Sequence, residues 1–220
     1  MGKALLFDLD GTLLHSDPLH VQVFIEMFEE RGRVIDEAFY FEKIHGTHNL
    51  ETFPHLFPGE DAVALSDQKE TRFRERLDDG HPPMPGVTAL LDRAEASGWK
   101  VAVVTNAPRV NAEHMLSAIG LKDRFTVLVI GDECPRAKPA PDPYLEAMKQ
   151  LGVAPGDSIA FEDSPSGMIA AAASGAYAVG IRSSADDATL RAAGAAATLE
   201  DYTDPALRDV LKRFTEEPAQ

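Results

Sequence analysis

At 220 residues, with 44% hydrophobic and 26% charged side chains, the chain has ordinary globular composition and room for one large domain or a domain carrying a smaller one. A formal net charge of -15 gives no basic face for nucleic acid and is repelled by an anionic membrane, so neither is an expected partner. Its one cysteine, Cys134, excludes an intramolecular disulfide; with no leader-like start and no membrane-length apolar run, the expectation is a cytoplasmic protein, monomeric by default.

"KALLFDL" reads as a short buried strand. "SDPLHVQVFIEMFEERG" then carries a helix start, with Asp17 suited to cap and Pro18 to the first helical position. Leu19, Val23, Phe24, Met27 and Phe28 recur at helical spacing, and Gly32 ends the run. The pattern stays helical to about Asp79, with breaks expected at Gly46, Pro54 and "FPGED". From Pro85 the character changes. The stretches "WKVAVVTN", "FTVLVIGDE", "SIAFED" and "YAVGI" read as strands, separated by amphipathic helices, and "AAATLEDY" adds an edge strand. Such alternation predicts an α/β fold: a Rossmann-like parallel sheet with helices on both faces, into which an all-helical domain is inserted after the first strand. The expected boundaries are residues 1–15 with 85–220 for the α/β core and 16–84 for the helical insertion.

Ligands of open parallel sheets bind beyond the carboxyl ends of the strands. Those ends carry Asp8 and Asp10, then Thr105 and Asn106, then Glu162 and Asp163, while Lys138 lies in the Pro-rich loop "RAKPAPDP". Buried carboxylates are costly unless they are paired or hold a metal. Clustered acids suit a hard divalent cation such as Mg2+, and a hydroxyl, an amide and a lysine suit a phosphoryl group. A carboxylate can itself be the nucleophile, and a second acid two residues on can serve as proton donor.

With "FDLDGTL", "VVTN", Lys138 in "KPAPDPY" and "FEDSPSG" in that order, the sequence resembles the haloacid dehalogenase superfamily of phosphohydrolases over nearly its whole length. It looks most like the branch containing phosphoglycolate phosphatases, other sugar-phosphate phosphatases and β-phosphoglucomutase. The resemblance implies Asp8 as nucleophile and Mg2+ ligand, and Asp10 as general acid and then base, its carbonyl also on the metal. It implies Asp163 as the remaining ligand, with Glu162 a ligand or a partner behind the ligands. Thr105 and Asn106 would bind phosphoryl oxygens, and Lys138 would offset charge on Asp8 and the phosphate. An acid at position 10 sets the chain apart from the dehalogenases, because an alcohol leaving group needs a proton and a halide does not.

The insertion resembles the family's cap, a lid touching the substrate beyond its phosphate. In it, Lys69 falls on a face shared with Leu65, Phe73 and Leu77, where a lysine either reaches past to water or points at an anion; reaching for water is the expectation. The branch resemblance gives Lys69 a substrate-side role and His20 a hinge or substrate role. His45, His48 and His55 do not repeat at a two-ligand helical spacing and read as loop residues. Where β-phosphoglucomutase carries an arginine for the second phosphate of its intermediate, this chain has Asn49. The expectation is therefore a Mg2+-dependent phosphatase acting on a small phosphorylated metabolite, phosphoglycolate or a sugar phosphate, through an aspartyl phosphate. The alternative is a hexose phosphate mutase. A phospho-accepting signalling domain, which also gathers Asp, Thr and Lys on a parallel sheet, leaves the roughly 65-residue insertion unexplained.

Overall fold

The computed structural model describes residues 2–47, 49–78 and 80–215. It divides into two compact units, Met1–His15 with Pro82–Gln220, and Ser16–His81. None of the helices among the described residues is long and apolar enough to cross a membrane.

The first unit is built on six strands: β1 (Ala4–Phe7), β2 (Lys100–Thr105), β3 (Val127–Ile130), β4 (Ser158–Glu162), β5 (Tyr177–Ile181) and β6 (Ala197–Leu199). They form one parallel sheet in the order β3-β2-β1-β4-β5-β6. The chain builds outward from β1 to β3, then crosses back to place β4 on the other side of β1. The gap between β1 and β4 is thus a topological switch point, where crossover helices leave on opposite faces and open a crevice. Burial on both faces explains the near-continuous apolar runs of β1 and β4. On one face Ala4, Leu6, Ala102, Val104 and Ala160 meet Tyr144, Met148 and Met168. On the other, Phe7 stacks on Phe161 with ring centroids 5.1 Å apart, and Tyr202 meets both edge-on.

Two helices of this unit escaped the sequence reading. Asp187–Ala192 is short and capped by Asp186, and Leu207–Thr215 buries Val210, Leu211 and Phe214, the last with its ring 5.0 Å from that of Trp99. Pro82–Met84 also side with this unit, three residues earlier than the composition suggests, because the Met84 N–H donates to the Leu13 carbonyl at 2.7 Å.

The second unit holds helices Asp17–Glu29, Glu37–Lys43, Asn49–Leu56 and Ala62–Arg76. An aromatic cluster packs it: Phe28 lies 4.8 Å from Phe57, and Phe24 5.8 Å from Phe53. Asp36 and Asp61 cap the second and fourth of these helices through backbone N–H groups. Two expectations are corrected here. The first helix begins at Asp17, with Ser16 rather than Asp17 at its cap position. Pro54 lies inside the third helix instead of breaking it; near a helix end the proline forfeits a single ladder bond, and Phe53 and Leu56 are buried on either side of it. His48 lies outside the described residues.

Candidate active site

The register that sets Phe7 beside Phe161 makes Asp8 and Glu162 leave the sheet side by side, at the switch point. The Asp8 N–H still donates to the Phe161 carbonyl at 3.0 Å, so the nucleophile candidate sits on sheet-anchored backbone rather than on a loose loop. β2 lies on the other flank of β1 and delivers Thr105, while Lys138 arrives from the loop that follows β3.

Lys138 is the hub. Its ammonium donates to Asp8 Oδ1 at 2.6 Å, to Glu162 Oε1 at 2.5 Å and to the Val104 carbonyl at 2.7 Å. Three N–H groups thus meet three acceptors, which satisfies a charge that is almost entirely buried. Asn106 fixes the lysine's backbone: its side chain accepts from the Lys138 N–H at 3.2 Å and donates to the Lys138 carbonyl at 3.1 Å. Thr105 is buried, and its hydroxyl accepts from the Ala107 N–H at 3.0 Å, which shapes the turn after β2.

Ligand oxygens of Asp8, Glu162 and Asp163 all lie within 4.8 Å of one another. Asp10, two residues beyond Asp8, is more exposed and stands in a bridge with Leu14. Thr12 Oγ1 lies 3.5 Å from Asp163 Oδ1, and the Ser184 hydroxyl donates to Asp163 Oδ2. Ser183 donates to the Gly11 carbonyl at 2.5 Å, tying the loop after β5 to the loop after β1. Gly11 has φ +66°, and a Cβ there would run into the Asp163 carboxylate. Gly167, in the first turn of the helix Pro165–Ala173, is just as close to the Glu162 carboxylate. These glycines let two acids be packed tightly from behind.

The electrostatics follow from burial. Removal from water pushes the Asp8 carboxyl well above its ordinary pKa; Lys138 opposes this, and Glu162 and Asp163 reinforce it. Burial alone would lower the Lys138 ammonium, but the charges of Asp8 and Glu162 outweigh it and raise its pKa. Three carboxylates against one ammonium leave the cluster short of positive charge. An all-oxygen donor set with excess buried negative charge fits a hard divalent cation.

The sequence reading thus has Asp8, Thr105, Asn106, Lys138, Glu162 and Asp163 converging within one unit, with Asp10 adjacent in the chain. His20 and Lys69 belong to the helical unit. The His20 ring stacks on Phe73 at 4.1 Å and 9°. Lys69 does not reach for water: it is buried, pairs with Glu70 at 2.9 Å and lies near the Phe24 and Phe73 rings. The anion it meets is a carboxylate of its own helix, which also accepts from Asn49 at 2.7 Å. Thr12, Tyr144, Ser183 and Ser184 were missed as members of the site. Tyr144 stands within "KPAPDPY", where the Lys138 motif offered a signal; the two serines follow β5 with none.

Known proteins resemble this chain over most of its length. The profile of the haloacid dehalogenase-like hydrolases matches residues 3–175. Protein CbbY of Rhodobacter capsulatus is 36% identical over 186 residues, covering 79% of this chain and 82% of its own length. A phosphoglycolate phosphatase of Xylella fastidiosa (strain 9a5c) is 32% identical over 176 residues, 79% of this chain and 77% of that one. Among solved structures, CbbY of Rhodobacter sphaeroides in complex with phosphate superposes with a TM-score of 0.80 at 28% identity, covering 92% of this chain and 95% of the other.

Proposed function

The chain belongs to the haloacid dehalogenase-like hydrolases, and from that premise we propose that it hydrolyses small phosphate monoesters with the help of Mg2+. The observation that carries the reading is the Lys138 ammonium held between Asp8 and Glu162 at the carboxyl end of the sheet. Phosphoglycolate is the substrate in the name of one relative, and sugar phosphates are the other class that the branch resemblance implies.

Asp8 Oδ attacks phosphorus, and the bond from phosphorus to the ester oxygen breaks. Asp10 gives its proton to the departing alkoxide, so that an alcohol leaves. Asp10, now a carboxylate, takes a proton from water; the water oxygen attacks phosphorus, and the Asp8–phosphorus bond breaks to free phosphate. Lys138 stabilises charge on Asp8 and on the phosphoryl oxygens throughout, and Thr105 and Asn106 contribute a hydroxyl and an amide to those oxygens. Asp8, Asp163 and the Asp10 carbonyl would hold the cation, with Glu162 beside them. When bound, it supplies positive charge to the phosphoryl oxygens. The helical unit, as a cap, would select the rest of the substrate through residues that include His20 and Lys69. A single cysteine supports a reducing compartment such as the cytoplasm.

The mutase reading predicts a different product. Asn49 hydrogen-bonds to Ser66 and Glu70 within the helical unit, which commits it to that unit's own framework. The test is phosphate release from phosphoglycolate, several sugar phosphates and β-glucose 1-phosphate with its bisphosphate activator, in Mg2+ and then in chelator. Release that requires Mg2+ is expected. Glucose 6-phosphate formed without net release would install the mutase instead.

A further inference from the structure

Tyr144 takes no part in the chemistry above, yet it touches two of its members. It belongs to the helix Asp142–Leu151 and is fully buried. Its hydroxyl donates to Glu162 Oε1 at 2.7 Å, the same oxygen that accepts from Lys138 at 2.5 Å. The Lys138 ammonium also lies over the Tyr144 ring, 5.2 Å from its centroid. Packing does not call for the hydroxyl: the ring sits among Ala4, Leu6, Met148, Ala160 and Met168, where a phenylalanine would fill the same space with no polar atom to satisfy.

What the hydroxyl adds is a second fixed donor on one carboxylate oxygen. The other oxygen, Oε2, has Ser164 Oγ at 3.5 Å, too far to fix it firmly. Without the phenol, the Glu162 carboxylate could turn about its last torsion, which is broad by nature. With it, Oε1 is gripped from two directions and becomes a stationary acceptor. A phenol carries its proton at neutral pH, so it serves as the donor.

We propose that Tyr144 is a positioning residue: its hydroxyl sets the Glu162 carboxylate, which in turn sets the Lys138 ammonium against Asp8. Lys138 is thereby preorganised for the charge that develops as the phosphoryl group transfers. The effect on rate rests on the phosphatase reading; the effect on Lys138 does not.

Tyr144→Phe tests both. With hydrolysis of a responsive ester as readout, kcat falls about tenfold while KM and the Mg2+ requirement stay as in the wild type. In a Glu162→Ala background the same substitution costs nothing further, because the hydroxyl has lost its acceptor. The second readout needs no turnover. The Lys138 ammonium, assigned in nitrogen-15 NMR spectra by its disappearance in Lys138→Met, exchanges slowly with water in the wild type and several-fold faster in Tyr144→Phe. Equal losses of kcat in both backgrounds, or ammonium exchange unchanged by Tyr144→Phe, would overturn the proposal. If the wild type releases phosphate from no ester, the phosphatase reading fails, and ammonium exchange still decides the clamp.

Discussion

Asp8 and Lys138 stand 130 positions apart in the chain and 2.6 Å apart in space. Removing the cation from that pair leaves buried carboxylates without their partner, a far larger loss than a surface ion pair would suffer. Lys138→Met should therefore cut kcat by at least about a hundredfold, given the size of single electrostatic contributions at such sites, with a fold retained by circular dichroism. A pH effect follows from the same cluster. Burial raises the pKa of Asp8 in the metal-free chain, so the proton must leave before the carboxylate can ligate. Lower pH strengthens that competition, and the Mg2+ concentration for half-maximal activity should rise between about pH 8 and about pH 6. A half-saturation value independent of pH would contradict the assignment of Asp8 to the metal. The acids, Thr105, Asn106 and Lys138 were legible because each sits at a strand end or in a motif loop. Tyr144 and Ser184 were not: a phenol inside an amphipathic helix reads as core, and a serine after a strand reads as turn. Tyr144 meets Glu162 only when its helix packs against the sheet, and Ser184 meets Asp163 only when β5 pairs with β4.

At the scale of elements, the helix Pro165–Ala173 begins directly behind the acid pair Glu162–Asp163. At its cap position Ser164 Oγ accepts from the Gly167 N–H at 3.1 Å, and Pro165 follows as the first helical residue. Ser164→Ala should lower stability by about 1 kcal/mol, measured by chemical denaturation. No loss of stability would mean that the cap bond contributes nothing. Strong apolar runs made the sheet strands legible, because a parallel sheet covered on both faces needs them. The helix Leu207–Thr215 was hidden by its charged residues; it shows the core Val210, Leu211 and Phe214. Asp187–Ala192 was hidden by brevity, since six residues cannot display a helical period. Lys69 shows the converse limit. Periodicity placed it correctly among apolar neighbours, but its pairing with Glu70 depends on side-chain direction, which spacing does not carry.

For the whole molecule, alternation of strands and helices was enough to establish a parallel sheet with an inserted helical unit. The strand order was not written in that alternation, and it is the order that sets β1 between β2 and β4 and brings three strand ends together. A net charge of -15 also acts at this scale. Self-repulsion weakens the compact state, so moderate sodium chloride should raise the thermal midpoint by screening it. A midpoint that falls with salt would instead give stabilising surface ion pairs the larger share. The central claim is narrower than any of these, that the Asp8 carboxylate carries the phosphoryl group. It is tested most directly by phosphate release from the best ester of the panel, at saturating Mg2+, by the wild type and by Asp8→Asn. The account predicts that Asp8→Asn keeps the fold and loses release altogether; normal turnover by that variant would contradict it.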